Sequence, residues 1–206
     1  MLFLTKVYFY QLNSLMILEK PRQRGTLLTL LLLIALAGNS WAQSKFIDRA
    51  GRASFFSSAP LEDIEAHSNQ AVSIFDVQSG EIAASVLMRS FNFRKALMEE
   101  HFNENYIESD RYPKATFKGK VSNLSDLDVS KPGKYTLNVT GDITLHGVTR
   151  PVQVKAEVTV DKGVLQAKAV FPLKVQDFKI KVPRLVVNNI AEVVDVTVSF
   201  SYQPMK

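Results

Sequence analysis

The chain has 206 residues, 25 Lys and Arg against 20 Asp and Glu, and no cysteine. The missing thiols exclude thiol chemistry, a disulfide framework and lipidation at a leader cysteine. Four of the cations (Lys6, Lys20, Arg22, Arg24) and one anion (Glu19) fall in the first 42 residues, so the remainder carries only about +2. Without a basic cluster interleaved with aromatics, nucleic acid is not an expected partner.

Residues 1–42 read as a secretory signal peptide. The basic stretch Lys20-Pro21-Arg22-Gln23-Arg24 precedes an apolar run ending near Ala37, and small residues at Ser40 and Ala42 mark the cleavage site. The apolar run is shorter than the roughly 20 residues a spanning helix needs, so no integral span is expected once the leader is cleaved. The long apolar stretch before Met16 makes that methionine an alternative start. Residues 43–206 form one domain, large enough to bury a core.

Within that domain, Lys45 to Ser57 opens as one or two short strands, and Pro60 ends them. Leu61 to Asp76 reads as a further strand pair, with His67-Ser68 in a loop and a turn at Gln78-Ser79-Gly80. From Ile82 the apolar face is Ile82, Ala84, Val86 and Met88, with Phe91 and Phe93 closing the same strand. Arg94 to Asn103 breaks the period of two: good helix formers there put Leu97, Met98 and Phe102 on one face of a three-turn helix. Asn105 to Pro113 is a structured loop, Ala115 to Val121 another strand, and Ser122 to Lys134 a loop around Pro132-Gly133.

The strongest pattern is Tyr135 to Val160. Tyr135, Leu137, Val139, Ile143 and Leu145 alternate with polar residues, then Val152, Val154, Ala156, Val158 and Val160 do the same. His146-Gly147 between them supplies a tight turn, so this is one long antiparallel hairpin with a continuous apolar face. Asp161-Lys162-Gly163 turns into a strand carrying Leu165, Ala167, Ala169, Phe171, Leu173 and Val175, with Pro172 marking an edge or a bulge. The last strand, from Ile190 to Tyr202, presents Val194, Val196, Val198, Phe200 and Tyr202 on one face. About eight antiparallel strands and one short helix define an all-β fold, an up-and-down barrel or a sandwich.

Two blocks carry a resemblance. His101-Phe102 followed by Tyr106 to Phe117, with Tyr112-Pro113 inside it, and Val139 to Val152, with Gly141, Thr144, His146-Gly147 and Pro151 inside it, resemble the corresponding segments of the YceI-like proteins. The order and separation of the blocks agree, and the likeness extends from about Phe46 to Tyr202. It implies a lipocalin-like antiparallel β-barrel, a periplasmic location, and a polyisoprenoid-type lipid held in an apolar tunnel. The family's amino-terminal "D..HS" pattern is replaced here by Asp48-Arg49-Ala50-Gly51-Arg52.

No convergent set of acid, base and nucleophile stands out, so an enzyme is not expected. The three histidines, His67, His101 and His146, lack metal-ligand spacing. The expected ligand is an isoprenoid- or quinone-like amphiphile, with no other cofactor, because apolar burial alone contributes about 0.8 kcal/mol per methylene. The candidate wall residues are Val86, Met88, Phe91, Phe93, Leu97, Met98, Phe102, Tyr106, Phe117, Leu137 and Phe171, with Arg89, Arg94 and Lys95 candidates for the head group. A carrier or sequestering role follows from this reading. The rival is an envelope interaction or stress module with a filled barrel core, and homodimer assembly is compatible with either.

Overall fold

The computed structural model describes residues 44–182 and 191–205. The leader expected over 1–42 and the stretch leading to Asn188-Asn189 lie outside the described residues. The strands are β1 (Lys45–Ser58), β2 (Asp63–Asp76), β3 (Glu81–Leu87), β4 (Asn92–Phe93), β5 (Lys114–Val121), β6 (Gly133–Leu145), β7 (Val148–Asp161), β8 (Val164–Lys174) and β9 (Val193–Pro204). Every pairing is antiparallel, in the order β1-β9-β8-β7-β6-β5-β3-β2, and β1 also pairs with β2. That last pairing closes the sheet. The fold is therefore an eight-stranded barrel rather than a sandwich, with the two-residue β4 attached to β2.

The central hairpin forms as its alternation requires. β6 and β7 pair without interruption from Gly133↔Val160 to Leu145↔Val148. His146 and Gly147 both have positive φ, 51° and 71°, the backbone of a two-residue turn whose twist matches its strands. Lys162 and Gly163, at 46° and 80°, repeat that turn between β7 and β8. At the β2–β3 turn, the Asp76 carboxylate accepts the N–H of Gln78 (2.9 Å) and of Ser79 (3.3 Å). The first of these bonds is the main cause of its lowered pKa.

Four expectations are corrected. Lys45 to Ser58 is a single strand, and so is Asp63 to Asp76, with His67-Ser68 inside the latter. Their broken alternation reflects bulges, because the register steps from Asp48↔Ser73 to Gly51↔Ala71 and then to Ala53↔Ser68. β1 gains a residue at the first step and β2 at the second. The inward positions therefore change parity once on each strand, from Phe46 to Gly51 and Ala53 and from Ala71 to Ser68 and Ala66, while the pairing register is restored. Phe91 and Phe93 do not continue β3, since a 3-10 turn at Met88–Ser90 intervenes and β4 then pairs with β2 through Ala66↔Phe93. The α-helix, α1 (Ala96–His101), is shorter than expected but runs on through a π-helical turn, Phe102–Tyr106. Last, β8 ends at Lys174, and Val175 opens a 3-10 turn. Pro172 lies beyond Ala156↔Ala169, the last β7–β8 partner pair, where its missing N–H disturbs no ladder on that side.

Inward side chains form two clusters. One fills the barrel end nearest the β2–β3, β5–β6 and β7–β8 turns: Phe46, Phe75, Val121, Leu137, Val139, Val158, Val160, Leu165 and Tyr202 are all buried. The hydroxyl of Tyr202 pairs with Ser73 Oγ at 2.7 Å, and Ser73 Oγ donates to the Ala83 carbonyl at 3.1 Å. Burial pushes the Tyr202 phenol up to about 12, against a downward pull from the Ser73 hydroxyl and with the Asp48 carboxylate adding to the rise. The unfolded phenol ionises near 10, so the stability held by neutral Tyr202 is complete below pH 10 and is lost as pH rises towards 12. Urea titrations across that range are expected to show the fall in the natural protein and its disappearance in Tyr202→Phe. At neutral pH that variant is expected to cost about 1 kcal/mol for the lost hydrogen bond.

Candidate functional site

The second cluster surrounds a cavity of about 350 Å³ rather than filling the barrel. The change from filled to hollow can be followed along single strands. Phe46 on β1 gives way to Gly51 and Ala53, Phe75 on β2 to Ala71, Ile82 on β3 to Ala84, and Val121 on β5 to Gly119. Each step replaces a large inward side chain by a small one; the space over Ala53, Ala71 and Ala84 is left to the cavity, and that over Gly51 and Gly119 is taken by aromatic rings. Opposite these small residues, β6, β8 and β9 contribute Ile143, Leu145, Phe171, Leu173, Val194, Val196 and Val198 to the wall.

Two rings make the boundary. Phe117 and Phe200 pack against both clusters. A Cβ on Gly119 would sit 2.4 Å from the Phe117 ring, and one on Gly141, its partner across β5–β6, would sit 2.7 Å from the same ring. A Cβ on Gly51 would sit 2.3 Å from the Phe200 ring. Both rings therefore press against bare backbone, in space that the Cβ of any other residue type would occupy.

At the other end of the cavity the chain builds an aromatic mouth. Phe102 has its ring centroid 5.6 Å from that of Phe55, 5.9 Å from Phe91 and 5.0 Å from Phe93. These are ordinary aromatic packing distances. Met98, Phe102 and Tyr106 reach the cavity from one helical face, four residues apart. Burial raises the pKa of the Tyr106 phenol, so this hydroxyl stays a neutral donor at the apolar wall. The other polar lining groups are Ser54, Ser57, Glu62, Ser85, His101 and Thr116. Of the cations proposed for a head group, Arg89 is paired with Asp110 and Lys95 with Glu62, while Arg94 is exposed.

Nine of the eleven candidate wall residues line the cavity: Val86, Met88, Phe91, Phe93, Met98, Phe102, Tyr106, Phe117 and Phe171. Two do not. Leu97 is 60% exposed, because one residue along the helix turns it away from the stripe of Met98, Phe102 and Tyr106. Leu137 is 2% exposed but belongs to the filled cluster, two inward-facing positions beyond Gly141 along β6. The alternation read the right face of β6 and misplaced the level. Phe55 and the β9 valines also line the cavity and were absent from the candidate set, although the alternation of β9 placed those valines on one face.

The two sequence blocks meet in space at His146. Its Nδ1 lies 3.0 Å from the Phe178 carbonyl and its Nε2 lies 3.4 Å from Glu108 Oε1. Tyr112 packs edge-on against the imidazole, with centroids 4.6 Å apart. Tyr112 also covers Gly147, where a Cβ would lie 2.5 Å from its ring. His146 is thus a tie between the β6–β7 turn, the loop after the helix and the segment after β8. Among the described residues, no group of His, Asp and Glu is arranged to hold a metal ion.

The geometry defines a closed antiparallel β-barrel, solid at one end and hollow and apolar at the other. The chain belongs to the YceI-like domain family, which matches residues 47–202. A UPF0312 protein of Vibrio parahaemolyticus is 31% identical over 83 residues, 40% of this chain and 40% of that protein. One from Photorhabdus laumondii is 28% identical over 123 residues, 59% of this chain and 50% of its own length. The chain thus spans half or less of the length of these relatives. Among solved structures, a polyisoprenoid binding domain from Saccharophagus degradans superposes with a TM-score of 0.68 at 15% identity, covering 79% of this chain and 99% of that one. Burkholderia cenocepacia BcnA superposes with a TM-score of 0.62 at 19% identity, covering 73% and 95%. At these identities the likeness is one of fold.

The different positions of Leu97 and Leu137 predict different costs. Leu137→Ala is expected to lose about 2–5 kcal/mol in urea unfolding, as a cavity-forming change in a filled core. Leu97→Ala is expected to stay within about 0.5 kcal/mol of the natural protein.

Proposed function

We propose that this protein binds an amphiphile with an isoprenoid- or quinone-type tail in the barrel cavity and carries or sequesters it in the periplasm, without catalysing a reaction. The observation that carries the reading is the cavity itself: about 350 Å³ with an almost wholly apolar wall, in a barrel whose other half is packed solid. A protein that needed only a stable barrel would gain by filling that space, since unfilled core volume costs stability. Pockets that hold small ligands begin at about this size. The Saccharophagus degradans domain of the same fold is described as polyisoprenoid-binding, which supports the same class of ligand here.

An uncharged head, an alcohol or a quinone, suits the mouth better than a phosphate. Among the described residues the cavity wall holds no Lys or Arg, and Arg89 and Lys95 already have carboxylate partners. The Tyr106 hydroxyl, together with Ser54 and Ser57, supplies neutral hydrogen-bonding groups instead. The leader expected over residues 1–42 supports export, and no helix among the described residues is long and apolar enough to cross a membrane. A filled-core interaction module is the poorer reading, because the space is present.

Native mass spectrometry of protein purified from a bacterial periplasm, followed by solvent extraction, tests the proposal. A stoichiometric neutral isoprenoid or quinone is expected, and a clean apo mass under gentle conditions would count against it. Phe171→Asp, which sets a charge in the cavity wall, is expected to abolish the adduct while leaving the far-ultraviolet circular dichroism unchanged.

A further inference from the structure

The barrel wall is not laddered all the way round. β7 and β8 pair from Asp161↔Val164 to Ala156↔Ala169; beyond that, β7 extends to Val148 and β8 to Lys174 with no partner pairs between them. Each strand carries a proline in this unpaired half, Pro151 on β7 and Pro172 on β8. Proline suits an unpaired edge, because it has no N–H to give to a ladder. The seam lies beside the cavity. Phe171 and Leu173 on its β8 side line that space, and Val148 and Val152 on its β7 side pack against the same cluster. Among the described residues the seam is stopped by the segment after β8, where Val175, Phe178 and Ile180 are buried and Val175 and Ile180 are cavity wall. Two hydrogen bonds among those residues tie this segment to the rest of the protein. The Val175 N–H donates to the Glu192 carbonyl at 3.0 Å, next to β8, and the Phe178 carbonyl lies 3.0 Å from His146 Nδ1, at the β6–β7 turn. Segments held by so few hydrogen bonds are those that open locally. The aromatic mouth offers no easier way in, since Phe102 there packs against Phe55, Phe91 and Phe93 at once.

We propose that the β7–β8 seam is the portal through which the apolar ligand enters and leaves, with Val175 to Ile180 as its gate and His146 as the positioning residue that latches it. The inference rests on the lipid-binding reading and deepens it. With the gate closed, Val175 and Ile180 complete the apolar wall. When the segment swings away from β7, the side of the cavity opens between two strands that have no ladder to break. The latch acts on passage and not on the bound state, because His146 itself is not part of the cavity wall. Loosening it therefore speeds entry and release by the same factor and leaves their ratio, the dissociation constant, where it was.

The test is stopped-flow fluorescence with N-phenyl-1-naphthylamine, a neutral apolar dye that brightens when it leaves water. His146→Phe keeps a ring but has no N–H to give to the Phe178 carbonyl. In that variant the uptake and release rate constants should both rise at least about fivefold, with Kd changed by less than about twofold. Should it fail to fold, Glu108→Cys/Asp177→Cys leaves His146 in place and allows the segment to be bridged to the loop after the helix with bismaleimidoethane. The chain has no cysteine of its own, so only these two thiols react, and the same protein before bridging is the control. Bridging should slow uptake and release at least about fivefold. Rates unchanged by the substitution or by the bridge in folded protein overturn the portal. So does a His146→Phe variant whose Kd weakens while its uptake rate stays the same, because His146 then supports the wall and latches nothing. A natural protein that takes up no dye overturns the lipid-binding reading itself, an outcome distinct from the others.

Discussion

The contact on which this structure depends is that of two aromatic rings with bare backbone. Phe117 and Phe200 occupy space that exists only because β1, β5 and β6 carry glycine at Gly51, Gly119 and Gly141. Glycine inside a strand weakens it by its entropy cost and its missing side chain, and it recurs where something must approach the backbone closely. Here that something is a lid laid across the inside of the barrel. One side of the lid is an ordinary core that supplies stability. The other side is also walled by buried apolar residues, but they surround a cavity instead of meeting one another.

This division explains how the rest of the molecule is arranged. The tight turns at Gly147 and Gly163 lie at opposite ends of β7, the first beside the hollow half and the second beside the solid one. The hollow end is weakened where β7 and β8 separate after Ala156↔Ala169. The segment after β8 meets β7 there and buries Val175, Phe178 and Ile180. His146 then fastens that segment by its backbone at Phe178 and fastens the loop after the helix at Glu108. The hollow end is thus assembled from parts that are distant in sequence, joined by aromatic packing around Phe102 and by the contacts of His146. The exposed ion pairs nearby, Arg89–Asp110 and Lys95–Glu62, add little to stability because water screens them.

Much of this was legible in the chain. Alternation placed β5 to β9 on the correct faces because a period of two with one buried side admits a single register. The resemblance of the Tyr112-Pro113 and His146-Gly147 blocks pointed to a barrel, and the closing β1–β2 pair bears that out. The elements that misled share a physical cause. β1 and β2 looked broken because a bulge shifts the inward parity once on each strand, before Gly51 on the first and between Ser68 and Ala71 on the second, and local pattern does not show that the two shifts restore the pairing register. Phe91 and Phe93 kept an apolar spacing across a 3-10 turn and so mimicked a longer strand. Leu137 was placed on the right face but at the wrong height, because height along a barrel depends on strand stagger and not on period. Leu97 was misplaced by one helical step, about a hundred degrees.

The central claim is that the barrel is hollow on one side of Phe117 and Phe200 and solid on the other. A crystal structure under xenon pressure tests it most directly, since xenon enters dry apolar cavities and needs no knowledge of the natural ligand. Xenon sites are expected between Ile143, Phe171, Val196 and Val198, above the rings. None is expected among Phe46, Leu137, Val160 and Leu165 below them. Xenon below the rings, or no xenon above them in a well-ordered crystal, would contradict the division on which the whole account is built.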